Sequence, residues 1–373
     1  MAGKPTINDI ARMAGVSKAT VSRVLNHKPD VDPATRERVM RIVEEQSFVP
    51  SINATGLAGG QSRLIGALVP AFTWPFISDI MRGVAEAVSL TSYELILYSI
   101  NDSRRSDDNI DILDHIMATK LTSGLLAIMP GQPSKYVTRL HKYGLPAVII
   151  DDQDKPGDIP WVGTDNQHGG YMATRHLIEL GHRRIAHIHG LQKYLCSHER
   201  YQGYCQAMQE AGLPLDPQLV FEGEFVQATG RAAGHYFFSL PSEQRPTAIF
   251  ASADLAAYGV MAVAEEYGMQ IPRDLALVGF DGLDSSAHVR PALTTVQQPF
   301  YEMGRRATEL LLSMLDQPHF ARRFSDSLVA QPTSISGTGN NHHQEPIRVH
   351  IASNLVIRES CGSPRHLSLS TSE

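Results

Sequence analysis

The sequence predicts an α/β protein in which a small three-helix domain precedes a body of two doubly wound, parallel-sheet lobes. Residues 7–43 carry apolar residues at helical spacing in three short blocks. From Leu64 onward, short apolar runs alternate with amphipathic stretches, which is the pattern of strands and helices in parallel sheets with right-handed crossovers. These units are too many for one compact sheet, and the 373 residues suffice for two or three cores.

Two of the predicted helices share the first 26 residues and are separated by a glycine. The apolar stripe of the first helix consists of Ile7, Ile10, Ala11 and Ala14. Gly15 suits the left-handed conformation that ends a helix, and the Ser17 hydroxyl can cap the next one. The second helix buries Val21, Val24 and Leu25, and its other face carries Lys18, Ala19, Ser22 and Arg23. Helices joined by so tight a turn cross each other, as in a helix-turn-helix.

A third helix completes this domain, which we call the head (residues 1–50). Asp32 is placed to cap the helix and Pro33 suits its first position, while its core face is Val39, Ile42 and Val43. The alternative is an ordinary helical cap on a larger domain. Charge favours another role, because residues 1–63 hold nine Lys/Arg against six Asp/Glu, whereas the whole chain carries a net charge of −6. A basic head with small and basic residues at the start of its second helix favours binding in a DNA major groove.

A polar linker, residues 51–63, joins the head to the body. The stretch from Ser47 to Arg63 contains one proline, three glycines and no acidic residue. Residues Ile52 to Leu57 show a short helical pattern, but six residues cannot hold a helix alone. Gly56 within it costs about 1 kcal/mol relative to alanine. We therefore predict that the linker is disordered until a partner orders it.

The body begins at Leu64, and its lobes are predicted from alternating segments. The apolar runs that predict strands are 64–70, 94–99, 124–129, 146–151, 183–190, 247–252 and 275–281. The stretches that predict helices include 76–90, 170–180, 200–211 and 255–267. Segments near 162–165 and 294–298 are predicted to cross between the lobes. Ligands bind outside the carboxyl ends of parallel strands and in clefts between lobes, so residues 70–76, Asp151 and Asp281 are the first candidates for a binding site.

Composition argues against membrane and exported proteins. No apolar run approaches the roughly 18 residues of a membrane span, and the N-terminus lacks the apolar centre of a signal peptide. The three cysteines, Cys196, Cys205 and Cys361, have no metal spacing and form an odd number, which suits a reducing compartment. We therefore expect a cytoplasmic protein without membrane contact, which disfavours an exported transport protein built on the same lobes.

An enzyme is the other rival interpretation. His182, His187 and His189 lie close in sequence, and the last two would share one face of a strand. No carboxylate or cysteine stands beside them at metal-ligand spacing. The Gly-Thr-Gly at 337–339 lacks the rest of a nucleotide fingerprint, and no Gly-x-Ser-x-Gly elbow occurs. We therefore expect no catalytic residues, no metal and no cofactor.

Seven motifs follow one another along the chain. They read TINDIARMAGVSKATVSRVLN, VDPATRERV, FVPSINATGLAGGQSRLIG, HLIELGHRRIAHIHG, ERYQGY, IPRDLALVGFDG and RPALTTVQQP. Together they resemble the LacI/GalR family of bacterial transcription repressors, over residues 5–316 and again over 347–360. The resemblance implies a homodimer that binds a palindromic operator in double-stranded DNA. It also implies a body with the periplasmic-binding-protein fold and a small-molecule effector held between the lobes.

For DNA binding, the resemblance implies roles for residues of the head and the linker. Lys18 and Ala19 would read bases. The residues implied at the surrounding DNA surface are Thr6, Ser17, Thr20, Ser22, Arg23 and Asn26. Asn53, Ala54 and Leu57 would belong to a hinge helix that folds on DNA, with Leu57 wedged into the minor groove. The chain reads Ala54-Thr55-Gly56 where the family often has Ala-Arg, so we predict that an arginine contact to the minor groove is missing.

The resemblance also divides the body. The first lobe is predicted to comprise residues 64–163 and 298–330, and the second lobe residues 164–297 and 347–360. The polar stretch 318–346 is longer than the usual connection in the family and is predicted to be a surface loop or disordered. The tail 361–373 shows no leucine heptads, so no tetramerising helix is predicted.

The effector site implied by the resemblance consists of Trp74, Phe76, Asp151, Arg200, Asp254, Asp281 and Gln298. Arg200 would clamp hydroxyls or a carboxylate with its guanidinium fork, and Asp281 can accept two sugar hydroxyls. Helix capping is the alternative for Asp254, and core packing is the alternative for Phe76. Carboxylates, one arginine and an aromatic wall favour a sugar or sugar derivative. A purine, a nucleoside, a sugar phosphate and a uronate are the other effectors we consider.

Overall fold

A computed structural model describes most of the head and most of the body. The described residues are 5–25, 28–48, 62–70, 74–99, 114–119, 121–128, 134–151, 159–315 and 346–362. Several predictions fall outside them. These concern Asn26, the hinge residues Asn53, Ala54 and Leu57, nearly all of the insertion 318–346, and the tail beyond residue 362.

The head contains three helices, α1 (Ile7–Ala14), α2 (Lys18–Leu25) and α3 (Pro33–Glu45). Its core consists of the buried side chains of Ile10, Ala11, Ala14, Val21, Val24 and Val39. Ile42 and Val43 pack against this core from α3. The apolar stripes therefore meet as predicted, and the polar face of α2 is left outside the core.

The ends of the head helices follow the predicted capping residues. Gly15 adopts the left-handed conformation, with φ of 63°, immediately after α1. The Ser17 hydroxyl accepts a hydrogen bond from the Thr20 amide at 3.1 Å, which caps α2. The Asp32 carboxylate accepts one from the Thr35 amide at 3.0 Å, with proline at the first position of α3. These local bonds fix the tight turn that makes α1 and α2 cross.

The first lobe of the body is built on a six-stranded sheet. Its strands are β1 (Leu64–Val69), β2 (Glu94–Ser99), β3 (Gly124–Ile128), β4 (Ala147–Ile150), β5 (Trp161–Thr164) and β11 (Arg348–Ile351), in the order β11-β5-β4-β3-β1-β2. The pairings of β1 with β3, β3 with β4, β4 with β5 and β5 with β11 are parallel. Helices α4 (Ile77–Ser89) and α5 (Ser134–Lys142) follow β1 and β3.

The second lobe repeats this plan. Its strands are β6 (Ile185–His189), β7 (Val220–Glu222), β8 (Ala248–Ala251), β9 (Ala276–Asp281), β10 (Thr294–Gln297) and β12 (Asn354–Val356), in the order β12-β10-β9-β8-β6-β7. All pairings are parallel except that of β10 with the edge strand β12. Its helices are α6 (Asn166–Glu179), α7 (Leu195–Glu210), α8 (Gln227–Ser239) and α9 (Asp254–Glu266). Two parallel-sheet lobes are thus confirmed.

The chain crosses between the lobes at the two predicted places. Strand β5 belongs to the first sheet, and α6, which begins two residues later, packs in the second lobe. Strand β10 belongs to the second sheet, and the next helix, α10 (Phe300–Met314), packs in the first-lobe core. Both segments are themselves strands, a feature that the sequence patterns did not reveal.

One predicted boundary is wrong. The sequence places the segment 347–360 wholly in the second lobe, but β11 extends the first sheet beside β5, and only β12 joins the second sheet. The physical reason is that β5 is buried along its whole length, so its outer edge needs a strand to satisfy its backbone groups. The short sequence Arg-Val-His-Ile of β11 carries no signal for one sheet over the other.

Glycines bring α6 and α7 unusually close together. A Cβ atom on Gly170 would lie 2.3 Å from the Arg200 carbonyl oxygen, and one on Gly203 would lie 2.1 Å from that of Gln167. No side chain larger than hydrogen fits at either position while the helices keep this spacing. The contact therefore fixes the position of Arg200 relative to the start of α6.

Candidate functional site

The head presents the polar face of α2 to solvent. Val21 and Val24 are buried on one side of the helix, and the predicted DNA-contact residues Lys18, Ala19, Ser22 and Arg23 lie on the other side, at i, i+1, i+4 and i+5. Lys18, Ala19 and Arg23 are exposed, and Ser22 is half-buried. An exposed helix face with a lysine in its first turn can enter a major groove and reach base edges.

Three other predicted DNA-contact residues, Thr6, Ser17 and Thr20, make hydrogen bonds at the ends of head helices. Ser17 and Thr20 hydrogen-bond through their hydroxyls at 2.9 Å. Thr6 and Asp9 form a reciprocal capping box at the start of α1, in which the Thr6 hydroxyl and amide donate to the Asp9 carboxylate at 2.7 and 2.9 Å. Arg23 makes an exposed ion pair with Asp30 at 3.2 Å, which costs little to break when another anion approaches.

The structure brings together four of the predicted effector residues at the carboxyl ends of strands. Asp151 follows β4, Asp281 ends β9, Gln298 follows β10, and Arg200 reaches in from α7. The Gln298 amide donates to Asp281 Oδ1 at 3.0 Å, and Arg200 Nη1 lies 3.6 Å from the same oxygen. Arg200 also acts electrostatically on Asp151, which belongs to the first lobe. We call Asp151, Arg200, Asp281 and Gln298 the site cluster.

The Arg200 guanidinium is held rigidly. Its Nε donates to the Asn166 side-chain oxygen at 2.9 Å, and its Nη1 donates to the Ser252 carbonyl at 2.6 Å. The group stacks on the Phe280 ring at 3.8 Å from the ring centroid, with Phe225 at 5.5 Å. Only 4% of the residue is exposed. An arginine fixed in this way presents a preorganised donor rather than a flexible surface charge.

Both carboxyl groups of the site cluster resist ionisation. Burial raises the pKa of Asp151 to about 6, while the Arg200 guanidinium acts in the opposite direction. Burial also raises the pKa of Asp281 to about 8, where Arg200 lowers it and the nearby Asp254 raises it further. Desolvation thus outweighs the arginine at both positions. Such shifts concentrate at functional sites.

The same two aspartates adopt backbone conformations that side chains disfavour. Asp151 has a φ of 67° and Asp281 a φ of 117°. Strain of this kind persists only where the surrounding structure imposes it, and it clusters at ligand-binding sites. The geometry is therefore consistent with a binding role for both carboxyl groups.

Three buried polar atoms in this region have no hydrogen-bond partner among the described residues. They are Asp151 Oδ1, Gln298 Oε1 and Ser197 Oγ. Ser197 lies one turn before Arg200 on α7, beside Phe225. Sequence reasoning missed Ser197 and Asn166, although the helical spacing from Arg200 could have indicated Ser197. Unsatisfied polar atoms are costly to bury, so a ligand that pairs with them would recover that cost.

Asp254 has a different role from the one predicted. It is fully buried, and its carboxylate accepts hydrogen bonds from the Leu283 amide at 2.8 Å, the Ser286 hydroxyl at 2.8 Å and the Thr295 hydroxyl at 2.5 Å. It also accepts one from the Gly282 amide. These four donors fill the oxygen sites of a carboxylate. Asp254 therefore positions the loop after β9 and has no acceptor site left for a ligand.

The two aromatic residues predicted for the site, Trp74 and Phe76, lie in different surroundings. Phe76 lies in the first-lobe core, stacked on Phe300 at 4.6 Å, so core packing describes it better than ligand contact. Trp74 is half-buried, and its ring lies edge to face with that of Tyr194 of the second lobe, with 6.3 Å between the ring centroids. Tyr194 in turn contacts Phe225, which lies beside Arg200. The aromatic wall thus includes Tyr194 and Phe225, which no sequence motif indicated.

His187 is held by contacts within the core of the second lobe. The Nδ1 atom of His187 hydrogen-bonds the Phe250 carbonyl at 3.1 Å, and its ring stacks on Tyr204 at 5.0 Å. Burial lowers the pKa of His187 well below its usual value, so the ring is neutral. Across the described part of the chain, no group of three or more His, Cys, Asp or Glu side chains could hold a metal ion. In the same part of the chain, no helix is both long and apolar enough to cross a membrane.

Comparison with known proteins gives matches to both parts of the chain. The family model described as bacterial regulatory proteins, lacI family, matches residues 6–51, and a periplasmic binding protein-like domain matches residues 174–361. The chain is 32% identical over 313 residues to catabolite control protein A of Priestia megaterium, covering 84% of this chain and 93% of that protein.

Two further matches are to proteins whose names refer to sugars. The chain is 34% identical over 331 residues to the ribose operon repressor of Haemophilus influenzae, covering 88% of this chain and 97% of that protein. The structure of a transcriptional regulator CelR–cellobiose complex superposes with a TM-score of 0.65 at 30% identity, covering 95% of this chain and 99% of that one. The likeness therefore includes the head and the body together.

Proposed function

The chain belongs to the lacI family of bacterial regulatory proteins, and from that premise we propose that it represses genes of carbohydrate metabolism under the control of a sugar or sugar derivative. It is a DNA-binding transcriptional regulator and not an enzyme. The proposal concerns which ligand controls it and which residues bind that ligand and the operator.

The observation that carries the effector proposal is the site cluster. A buried arginine, two strained carboxyl groups and an amide meet at the carboxyl ends of three strands, and acceptor atoms among them lack partners. Sugar hydroxyls are the donors that carboxylate and amide oxygens bind in proteins, and aromatic rings pack on the apolar face of a sugar. We assign Asp151, Arg200, Asp281 and Gln298 to ligand contact, with Trp74 in the wall.

We assign the exposed face of α2 to the operator. Lys18 and Ala19 contact bases, and Ser17, Thr20, Ser22 and Arg23 lie at the surrounding DNA surface with Thr6. Two heads of a homodimer read the halves of a palindrome, since the two-fold symmetry of protein and DNA match. Asn26 and the hinge residues Asn53, Ala54 and Leu57 complete the interface, with Leu57 opening the minor groove.

The effector controls repression by binding the operator-bound and free states of the dimer with different affinities. If the sugar prefers the free state it induces, and if it prefers the bound state it corepresses. In either case operator DNA changes the sugar affinity by the factor by which the sugar changes operator affinity.

The test begins with the intact chain and an operator selected from a random DNA library. Operator affinity is then measured with and without ribose, cellobiose and other sugars. We expect one sugar to change that affinity, and Arg200→Ala to abolish the change while operator binding persists. Arg184→Ala, which removes a positive charge elsewhere in the second lobe, is the matched control. If the sugar still changes operator affinity in Arg200→Ala, Arg200 does not belong to the site. If a purine changes operator affinity and no sugar does, the effector is a purine and not a sugar.

A further inference from the structure

We infer that the effector site selects an uncharged, hydroxyl-donating ligand and excludes its anionic relatives, such as uronates and sugar phosphates. The inference rests on the proposed effector site and narrows the chemistry of what binds there. Three features of the site cluster carry it: the kind of polar atom left unpaired, the state of the arginine, and the balance of charge.

The unpaired atoms of the site cluster are acceptors. Asp151 Oδ1 and Gln298 Oε1 are buried and receive no hydrogen bond from the described residues. A carboxylate oxygen and an amide oxygen can be satisfied only by a ligand that donates. Sugar hydroxyls donate, whereas an ionised carboxylate or phosphate group has only acceptors to offer. The third unpaired atom, Ser197 Oγ, can donate or accept and does not change this requirement.

The arginine has little left to bind an anion. A guanidinium holds a carboxylate with two parallel N–H groups, but the single Nε–H of Arg200 already serves Asn166. Nη1 donates to the Ser252 carbonyl and faces Asp281. Nη2 makes no hydrogen bond to a described residue, so the edge formed by Nε and Nη2 is blocked at Nε. A ligand carboxylate could be bound bidentately only through Nη2 and the second N–H of Nη1, where it would lie beside Asp281.

The charge of Arg200 is already balanced at neutral pH, because Asp151, with a pKa of about 6, is ionised. Arg200 faces Asp151 and Asp281, and Glu199, which hydrogen-bonds Asn166, adds a third carboxyl group nearby. Lys193 lies over the Tyr194 ring at 4.8 Å but is exposed, where solvent screens its charge. An anionic ligand would therefore add an unbalanced negative charge to a buried site in which the charge of Arg200 is already offset by Asp151.

The experiment compares ligands that share a ring and differ in charge. The pairs are glucose with glucuronate and glucose 6-phosphate, galactose with galacturonate and galactose 6-phosphate, and ribose with ribose 5-phosphate. Cellobiose is added as a neutral disaccharide. Thermal melting of the intact chain identifies binders, and isothermal titration gives their affinities. We expect at least one neutral compound to bind, and each anionic relative of a binder to be at least about tenfold weaker, the effect of losing one hydrogen bond to a charged group.

Two results would overturn the inference. One is an anionic compound that binds as tightly as its neutral partner or more tightly. The other is a complete absence of shifts, which would remove sugars from the site. Operator selection with the same preparation tests the regulator separately, because DNA binding by the head does not depend on which ligand the body takes.

A variant tests the mechanism of selection. Asp151→Asn keeps the shape of the side chain but removes its charge and replaces an acceptor with a donor. We expect Asp151→Asn to weaken binding of the neutral sugar. The ratio of the affinity for the neutral sugar to that for the matching uronate should fall by at least about tenfold. Asp114→Asn, an exposed aspartate of the same lobe, should leave both affinities unchanged. A preference in Asp151→Asn equal to that of the parent protein would show that charge at this position does not select the ligand.

Discussion

At the scale of single residues, Asp281 shows a buried carboxyl group that is kept at the expense of stability. Its carboxyl group is buried beside Asp254 and Asp151, and its backbone has a φ of 117°. Both conditions disfavour the folded state, since a buried charge is poorly solvated and a side chain at this φ is strained. Arg200 and Gln298 offset part of that cost. A hydroxyl donated by a ligand would offset more, so the group is arranged for the bound state.

Asp281→Asn should therefore stabilise the free protein, and more so at high pH. Asparagine keeps an oxygen for Gln298 and removes the charge. In the parent protein the pKa of Asp281 is about 8 when folded and near 3.8 otherwise, so the folded state holds an extra proton between these values. Stability consequently falls as pH rises through that window. We expect a gain on the order of 1 kcal/mol at pH 8 and a smaller gain at pH 5, measured by denaturant unfolding.

Glu266→Gln is the control for this prediction. Glu266 is an exposed carboxylate of the same lobe, paired with Arg231, and its removal should change stability little at either pH. Equal gains from Asp281→Asn at pH 5 and pH 8 would contradict the argument from titration and leave only relief of backbone strain as its cause.

Lys18 is the residue of the head whose role can be separated most sharply. If it reads a base, Lys18→Ala should weaken binding to the selected operator by about 1–3 kcal/mol and change binding to scrambled DNA far less. Fluorescence anisotropy with both DNAs measures the difference. Lys142→Ala removes the same charge from the body and serves as the control. Equal losses on both DNAs would assign Lys18 to a phosphate instead.

Residue chemistry predicted the positions of some of these residues and missed others for a physical reason. Asp151 and Asp281 could be placed because each follows an apolar strand, and parallel strands bring such residues to one edge. The role of Asp254 could not, because it depends on four donors that lie 28 to 41 residues away in the sequence. Tyr194 and Phe225 were missed likewise, since their contact with Trp74 and Arg200 arises only from tertiary packing.

At the scale of elements, the pair α6 and α7 supports the site through a backbone contact. The helices meet at Gly170 and Gly203, and Arg200 leaves α7 one turn before Gly203. The guanidinium then reaches Asn166 in the first turn of α6. A change in the distance between these helices would thus move Arg200 relative to Asn166 and to the carboxyl groups of the site cluster.

Gly170→Ala should disturb both stability and the effector site. Its Cβ would lie 2.3 Å from the Arg200 carbonyl oxygen, and because that atom is backbone the helices must separate. We expect a loss of about 1–3 kcal/mol from overpacking, together with a weaker response of operator affinity to the sugar. Denaturant unfolding and operator titration measure the two effects.

Gly234→Ala is the matched control on α8. There the nearest atoms belong to the Val263 side chain, at 3.0 Å, which can shift, and alanine improves helix propensity by about 1 kcal/mol. Its stability should therefore change little, and its sugar response should match that of the parent chain. Similar losses in both variants would mean that the close approach of α6 and α7 is not what matters.

Elements themselves were largely predictable where an apolar run is long. The runs 64–70, 94–99 and 275–281 became β1, β2 and β9 within one residue at each end. The short strands β7, β11 and β12 were not predicted, because no longer apolar run marks them and so few residues give no period to detect. Which sheet such a strand joins depends on which sheet edge has unpaired backbone groups, and that is a property of the assembled lobe.

At the scale of the whole molecule, the loop after β9 connects the effector site to the contact between the lobes. Asp281 ends β9, and Leu283, two residues later, is buried in the core of the first lobe. Asp254 holds the Leu283 amide at 2.8 Å and the neighbouring Ser286 hydroxyl. A ligand that changes the position of Asp281 would therefore act, through a short and firmly bonded segment, on a side chain that packs in the core of the other lobe.

Leu283→Ala should consequently uncouple ligand binding from the DNA response. The substitution leaves the site cluster intact, so sugar affinity should fall only modestly. It removes an apolar anchor between the lobes, which should cost about 2–3 kcal/mol of stability and reduce the factor by which the sugar changes operator affinity. Leu215→Ala, at a leucine of the second lobe that is 36% exposed and outside the core, controls for loss of apolar volume. If Leu283→Ala lowers stability but keeps the full sugar response, the signal between the lobes does not pass through this loop. The three described crossings of the chain, at β5, at β10 and between β11 and β12, would then be the connections to test.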